Sequence, residues 1–148
     1  MKRLILLTMI LAICSALYAQ DELFKKYENT KGVETVYISK NLLSIVGTTD
    51  IGDLNVSKAA KKIERIQVLE CERASLLQGI RDYALSIFKR DKYEQIMRTT
   101  DDGEVTYIYQ KQRGKLTEFV ILTSEKKELT IVNILGTLTL KEIKEIAN

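Results

Sequence analysis

The chain contains no histidine and no proline, and each absence removes a group of readings. Without histidine there is no ordinary general base near neutral pH, no partner for a catalytic serine or cysteine, and none of the commonest nitrogen ligands for zinc. Ser-His-Asp and Cys-His machinery and standard zinc sites are therefore excluded. With no proline, no low-complexity stretch and no internal repeat, nothing marks a linker or a boundary between domains. Cysteine is nearly as scarce: Cys14 falls in the leading apolar segment and Cys71 stands alone in the remainder. One thiol cannot form an internal disulfide, so stability has to come from packing even if the chain meets an oxidising compartment.

The leading segment accounts for most of the basic balance. Met1, Lys2 and Arg3 precede an apolar run from Leu4 to Ile13, and Cys14-Ser15-Ala16-Leu17-Tyr18-Ala19 follows before charge resumes at Asp21. This is the order of a cleavable secretory signal, expected to be cut after Ala19, giving a signal peptide over 1–19 and one domain over 20–148. The run is short for a membrane span of about 20 apolar residues, so no transmembrane segment is expected once the signal is removed. Lipid attachment at Cys14 is the lesser alternative, because bulky Ile13 precedes it and apolar residues follow. The segment carries two of the 23 basic residues and none of the 20 acidic ones, leaving 21 against 20. A balance so near neutral argues against nucleic acid as a partner, which would favour a concentrated basic face.

Periodicity gives the elements. Leu23, Phe24 and Tyr27 share one side of a short opening helix over 21–29, and the β-branched and aromatic run 33–39 predicts a strand. Leu42, Leu43 and Val46 suggest a helical turn over 40–46, and another over 57–62 leads into a strand over 63–70. The strongest pattern places Leu76, Leu77, Ile80, Tyr83, Ala84, Ile87 and Phe88 at three- and four-residue spacing, a core helix over 72–90. Four strands follow over 93–98, 104–111, 116–124 and 128–135, joined by links short enough to require antiparallel neighbours. The C-terminal helix carries a capping box, Thr139 with Glu142, and a staple pair, Leu138 with Ile143. It is expected to bury Leu140, Ile143 and Ile146. The fold class is α+β, a mainly antiparallel sheet with a C-terminal four-strand meander and helices packed on it; the pairing of the first two strands stays open.

Few residues invite chemistry. Cys71 lies between Glu70 and Glu72, whose negative charge opposes the thiolate, so a buried, inert thiol is expected. Asp50, Asp53 and Asn55 could offer oxygens to calcium, but the EF-hand spacing is missing and a surface loop accounts for them. Asp101, Asp102 and Glu104 surround an Asp-Gly pair of the kind a tight hairpin needs. Tyr107 and Tyr109 fall on one side of their strand and form the candidate binding surface, against the plainer reading of strand packing. The meander has one anomaly. Val120 and Leu122 oppose Phe119 and Ile121, and Leu129 and Ile131 oppose Val132 and Ile134, so both faces are apolar and both should be covered. Internal covering is the preferred reading, followed by an interface or a groove for an apolar ligand.

Several stretches resemble a family of short exported Bacteroidetes proteins known as domain of unknown function 4252. They are Phe24 with Lys26-Tyr27, Gly32-Val33 with Val36 to Lys40, Ile66 to Leu69, Tyr93-Glu94 with Met97-Arg98, Asp102-Gly103, Phe119 to Leu122, and Ile131 to Gly136 followed by Leu140 to Ile143. The resemblance implies export and a shared fold, and an envelope or regulatory setting from gene neighbourhoods near extracytoplasmic-function sigma factors. It supplies no catalytic residue. The expectation is a non-enzymatic exported envelope protein, periplasmic or otherwise in the cell envelope, without cofactor or metal. It would act as a binding, sensory or accessory module toward an envelope protein partner or an apolar ligand. The alternatives are a hydrolase working through carboxylates alone, and a structural subunit of a surface assembly that self-associates as a homo-oligomer through a sheet edge.

Overall fold

The computed structural model describes residues 19–46 and 59–147. The leading segment with Cys14, and the loop with Asp50, Asp53 and Asn55, lie outside the described residues. The elements run α1 (Ala19–Tyr27), β1 (Val33–Ser39), α2 (Lys40–Val46), a 3₁₀ turn (Ala60–Lys62), β2 (Ile63–Cys71), α3 (Ala74–Arg90), β3 (Glu94–Asp101), β4 (Glu104–Arg113), β5 (Leu116–Ser124), β6 (Leu129–Gly136) and α4 (Leu140–Ala147). The strands form one sheet in the order β1-β2-β6-β5-β4-β3, every neighbouring pair antiparallel. The fold is therefore α+β with the expected meander, β3 to β6. The pairing left open by the sequence is a β1–β2 ladder docked through β2 onto β6.

The tight links follow from their residues. Asp102 and Gly103 take φ values of 43° and 87° between the paired ends Asp101 and Glu104, the doubly left-handed turn that suits strand twist and favours an Asp-Gly pair. Gly114, φ 64°, opens the two-residue link between Arg113 and Leu116.

Both faces of the central strands are covered from within the chain. On the first face, Ile66, Val68, Phe119, Ile121, Val132 and Ile134 pack with Leu43 of α2 and with Leu138, Ile143 and Ile146 at the C-terminus. On the second, Leu69, Cys71, Val120, Leu122, Leu129 and Ile131 pack beneath Leu23 and Phe24 of α1 and Ile80, Ala84, Ile87 and Phe88 of α3. Burying apolar surface on both sides at roughly 25 cal/mol per Å² is the main term favouring the fold.

The capping box forms as expected. The Glu142 amide donates to Thr139 Oγ1 at 3.3 Å, and the Thr139 amide donates to Glu142 Oε2 at 2.9 Å. Leu138 and Ile143 close over it, both buried. Leu140 departs from the expectation. It is 36% exposed, because as the first residue of α4 it falls outside the inward stripe of Ile143 and Ile146. Strand β3 starts at Glu94 and runs to Asp101, longer than expected, because a bulge between Gln95 and Met97 keeps it in register with β4.

The two sheet edges differ. β3 presents mostly exposed polar and charged residues and carries that bulge. β1 is regular and exposes Val36 and Tyr37, 41% and 61%.

Candidate functional site

At one corner of the second face the apolar alternation breaks in three neighbouring strands. β5 should place Leu116, residue 118, Val120 and Leu122 inward, and position 118 is glutamate. β6 continues Leu129 and Ile131 with Asn133, and β2 continues Cys71 and Leu69 with Gln67 and then Arg65. The register gathers these positions: Gln67 faces Asn133, Asn133 faces Val120, and Arg65 and Glu118 flank Leu135 from its two sides. A bulge between Ile63 and Arg65 matters here. The extra residue turns Ile63 into the first-face core, while Arg65 stays in step with Leu69 and Gln67 on the second face.

A fourth contributor comes from the end of α3. The Tyr93 amide donates to the Phe88 carbonyl at 2.8 Å and the Lys92 amide to the Lys89 carbonyl at 3.2 Å, with Lys92 left-handed at φ 59°. This is the Schellman arrangement, with the usual apolar contact across it: the Phe88 and Tyr93 rings lie 5.5 Å apart. The helix end thus aims the Tyr93 hydroxyl at the corner.

Glu118 is the hub, 0% exposed, as is Asn133. Its Oε2 accepts from Tyr93 Oη at 2.9 Å and from Arg113 Nε at 2.8 Å. Its Oε1 accepts from Asn133 Nδ2 at 2.6 Å and lies 3.5 Å from a terminal nitrogen of Arg65. Arg113 also donates to the Tyr93 hydroxyl at 3.2 Å. Burial works to lower the Arg113 pKa, but the hydrogen bond and charge of Glu118 prevail and raise it. Beside the hub, Lys111 stands opposite Glu118 in register, with its ammonium 5.2 Å from the centre of the Tyr93 ring. Burial, followed by repulsion from Arg113, pulls the Lys111 pKa down. Among the buried polar atoms without a hydrogen-bond partner are Arg65 Nε and Asn133 Oδ1.

Chemically, this carboxylate is an organiser. Three hydrogen bonds and an ion pair already engage its two oxygens, which leaves it poorly placed to take a proton from a substrate. Its effect is to hold two guanidiniums, a phenol and an amide in fixed relation. The arrangement is net cationic, with Arg65, Arg113 and Lys111 around one glutamate.

The tyrosine stripe lies next to this corner but under α3. Tyr109 is 9% exposed, its ring 4.8 Å from Phe88, and its hydroxyl donates to Gln95 Oε1 at 3.3 Å. Burial raises its pKa. Tyr107 is half-buried and stacks on Tyr109 at 6.2 Å, with the Arg98 guanidinium 5.5 Å from its ring. Of the stripe, therefore, only Tyr107 reaches solvent, and Tyr109 is packed in the core. Cys71 is buried, and its thiol lies 3.8 Å from the Arg73 carbonyl. Asp101, Asp102 and Glu104 sit at the β3–β4 hairpin, away from the corner. Among the described residues, no three His, Cys, Asp or Glu side chains are grouped to hold a metal, and no helix is long and apolar enough to cross a membrane.

The corner was missed in the sequence although its signal is present there. Glu118, Asn133 and Gln67 each occupy an apolar position of a strand pattern, which is costly unless such residues satisfy one another.

Compared with known proteins, residues 27–146 match the model of the family described as Domain of unknown function (DUF4252). The chain belongs to that family. No curated protein matches it. Among solved structures it is similar to a Pseudomonas aeruginosa protein of unknown function, PA94, at 12% identity. The match covers 78% of this chain and 75% of that one with a TM-score of 0.36, a likeness too slight to establish a shared fold.

Proposed function

We propose that this member of the DUF4252 family is an exported, non-enzymatic binding or sensory module, and that its recognition surface is the cationic corner around Glu118. The observation that carries the reading is the engagement of that buried carboxylate by three hydrogen bonds and an ion pair. A buried acid meant for catalysis keeps a lone pair or a proton for its substrate, whereas one meant for recognition fixes the groups around it. The absence of histidine points the same way. Export rests on the leading segment, which predicts a mature chain starting at Gln20, unlipidated and located in the periplasm or cell envelope.

The test incubates the mature protein with a small-molecule extract of its native envelope and recovers what it retains by mass spectrometry. The reading expects a molecule held by the parent, lost in Arg65→Gln and recovered unchanged. A molecule recovered chemically converted would favour the carboxylate hydrolase, and equal retention by both proteins would sink the corner as the site. Intact-mass measurement of the native protein tests the leader: a mass starting far from Gln20, or a lipid on Cys14, would overturn that part.

A second reading, a self-associating subunit, is favoured by the β1 edge, where Val36 and Tyr37 are exposed on a regular, unbulged strand whose one charged residue is Glu34. Sedimentation at micromolar concentration distinguishes it: a dimer that Val36→Lys dissociates supports this reading, and a monomer removes it.

A further inference from the structure

The corner's unmet hydrogen bonds specify a ligand more closely than its charge does. Asn133 donates its amide to Glu118, which fixes the orientation of that amide and leaves Oδ1 as an acceptor in need of a donor. Arg65 Nε is a donor in need of an acceptor. Both atoms are buried, and leaving buried polar groups unsatisfied is unfavourable. A single group with a hydroxyl hydrogen beside an anionic oxygen meets both demands.

The charges agree with this. Arg65, Arg113 and Lys111 face only Glu118 within the cluster. The nearby Asp91 is engaged by Arg90 at 3.1 Å, while Lys92 beside it adds further positive charge. An incoming anion reduces the excess. Lys111, whose charge is already opposed by burial and by Arg113, would gain from it.

Arg65 is the member able to admit a ligand. Its contact with Glu118 is the longest of the four, at 3.5 Å, and its side chain is 21% exposed. Turning outward would expose its own Nε and the amide oxygen of Asn133 while the other three donors keep Glu118 satisfied.

We propose, resting on the binding reading above, that this corner takes a small 2-hydroxy carboxylate. Its carboxylate would meet Arg65, its hydroxyl would donate to Asn133 Oδ1, and the field of Lys111 and Arg113 would favour its charge.

The experiment is a side-chain and backbone NMR titration of the mature protein with glycolate, acetate and inorganic phosphate. The Arg65 Nε–H and Asn133 amide signals are the reporters. Glycolate is expected to move both with a Kd on the order of 1 mM, as suits so small a ligand. Acetate, lacking the hydroxyl, should bind about tenfold more weakly, the loss of one hydrogen bond to a buried acceptor. Arg65→Gln should abolish the response. Lys111→Gln, which leaves the hydrogen bonds to Glu118 intact, should weaken glycolate about threefold through the field alone, with an unchanged backbone spectrum elsewhere. Acetate equal to glycolate would overturn the hydroxyl contact and with it the proposal. Phosphate at least as tight as glycolate would overturn the carboxylate class. No movement of either reporter with any of the three would sink the proposal outright. If the envelope extract still yields a ligand dependent on Arg65 in that case, the binding reading survives and only the ligand class fails; if it yields none, both fall.

Discussion

Two regions of the second sheet face are built from the same strands, β2, β6 and β5, and are held together in opposite ways. Under α1 and α3, Leu69, Ile131 and Leu122 lie side by side in register, all at 0% exposure. One step further along each strand the row Gln67, Asn133 and Val120 begins the change, and beyond it Arg65, Leu135 and Glu118 complete the polar corner. The apolar region draws stability from area, which is non-directional and lost in proportion to what is removed. The polar corner has little net stability to give, since desolvating its charges offsets most of their attraction. What it has is interdependence: remove one member and the others are left buried and uncompensated.

The comparison is broken most severely at its hub. Glu118→Ala should lose about 3–5 kcal/mol, because two guanidiniums, a phenol and an amide lose their common acceptor. Urea unfolding measures this. Replacing the set together, Glu118→Leu with Arg65→Met and Arg113→Met, should recover most of that loss. A triple variant as unstable as Glu118→Ala would show that the corner is a stability device after all.

On the apolar side, Tyr109→Ser should lose about 3–5 kcal/mol by emptying an aromatic core site, whereas Tyr107→Ser at the half-buried outer position should lose about 1 kcal/mol. Equal losses in thermal unfolding would contradict the burial difference between the two rings.

Gly136 closes β6 just past the corner, where an added Cβ would lie 2.2 Å from the Lys62 carbonyl oxygen, an atom already bonded by the Thr137 amide at 2.9 Å. Gly136→Ala should therefore lose about 1–3 kcal/mol through forced backbone displacement, measured by the same unfolding curves. A neutral result would mean that the 3₁₀ turn and β6 separate freely.

The smallest effect belongs to a carboxylate on the rim, which contrasts with the buried one. Glu142 bonds Lys62 and caps α4, and these contacts, Lys62 foremost, hold its pKa down to about 2 from the ordinary 4.5. A depressed folded pKa gives stability that is present above the unfolded value and fades as pH falls from about 4.5 toward 2. Glu142→Gln should flatten the melting temperature's dependence on pH in that window and alter little at pH 7. An unchanged slope would show that the cap contributes nothing to acid sensitivity.

Much of the frame was legible because it is local. Asp102-Gly103 fixes a turn, Thr139 and Glu142 fix a helix start, and the double alternation of 119–122 and 129–134 announced two covered faces. The β2–β6 pairing was not legible, since no link of fixed length sets its register. The corner depends on that register. Glu118, Asn133 and Gln67 each look like an isolated defect in a strand until β2, β6 and β5 are aligned. Tyr107 and Tyr109 were correctly placed on one strand face, but only the docking of α3 distinguishes the packed ring from the outer one.

The position of β2 against β6 also bears on how the chain is made. Synthesis delivers the β1–β2 ladder early, and β6 only after α3 and three further strands. Throughout that interval β2 has an unpaired edge bearing Ile66, Val68 and Leu69, the kind of edge that recruits other strands. The last ladder to close spans the longest loop in the sheet, so its entropy sets the pace of folding. A nascent chain is thus most prone to aggregate just before residues 129–136 emerge, and a holding chaperone would have most to protect at that moment.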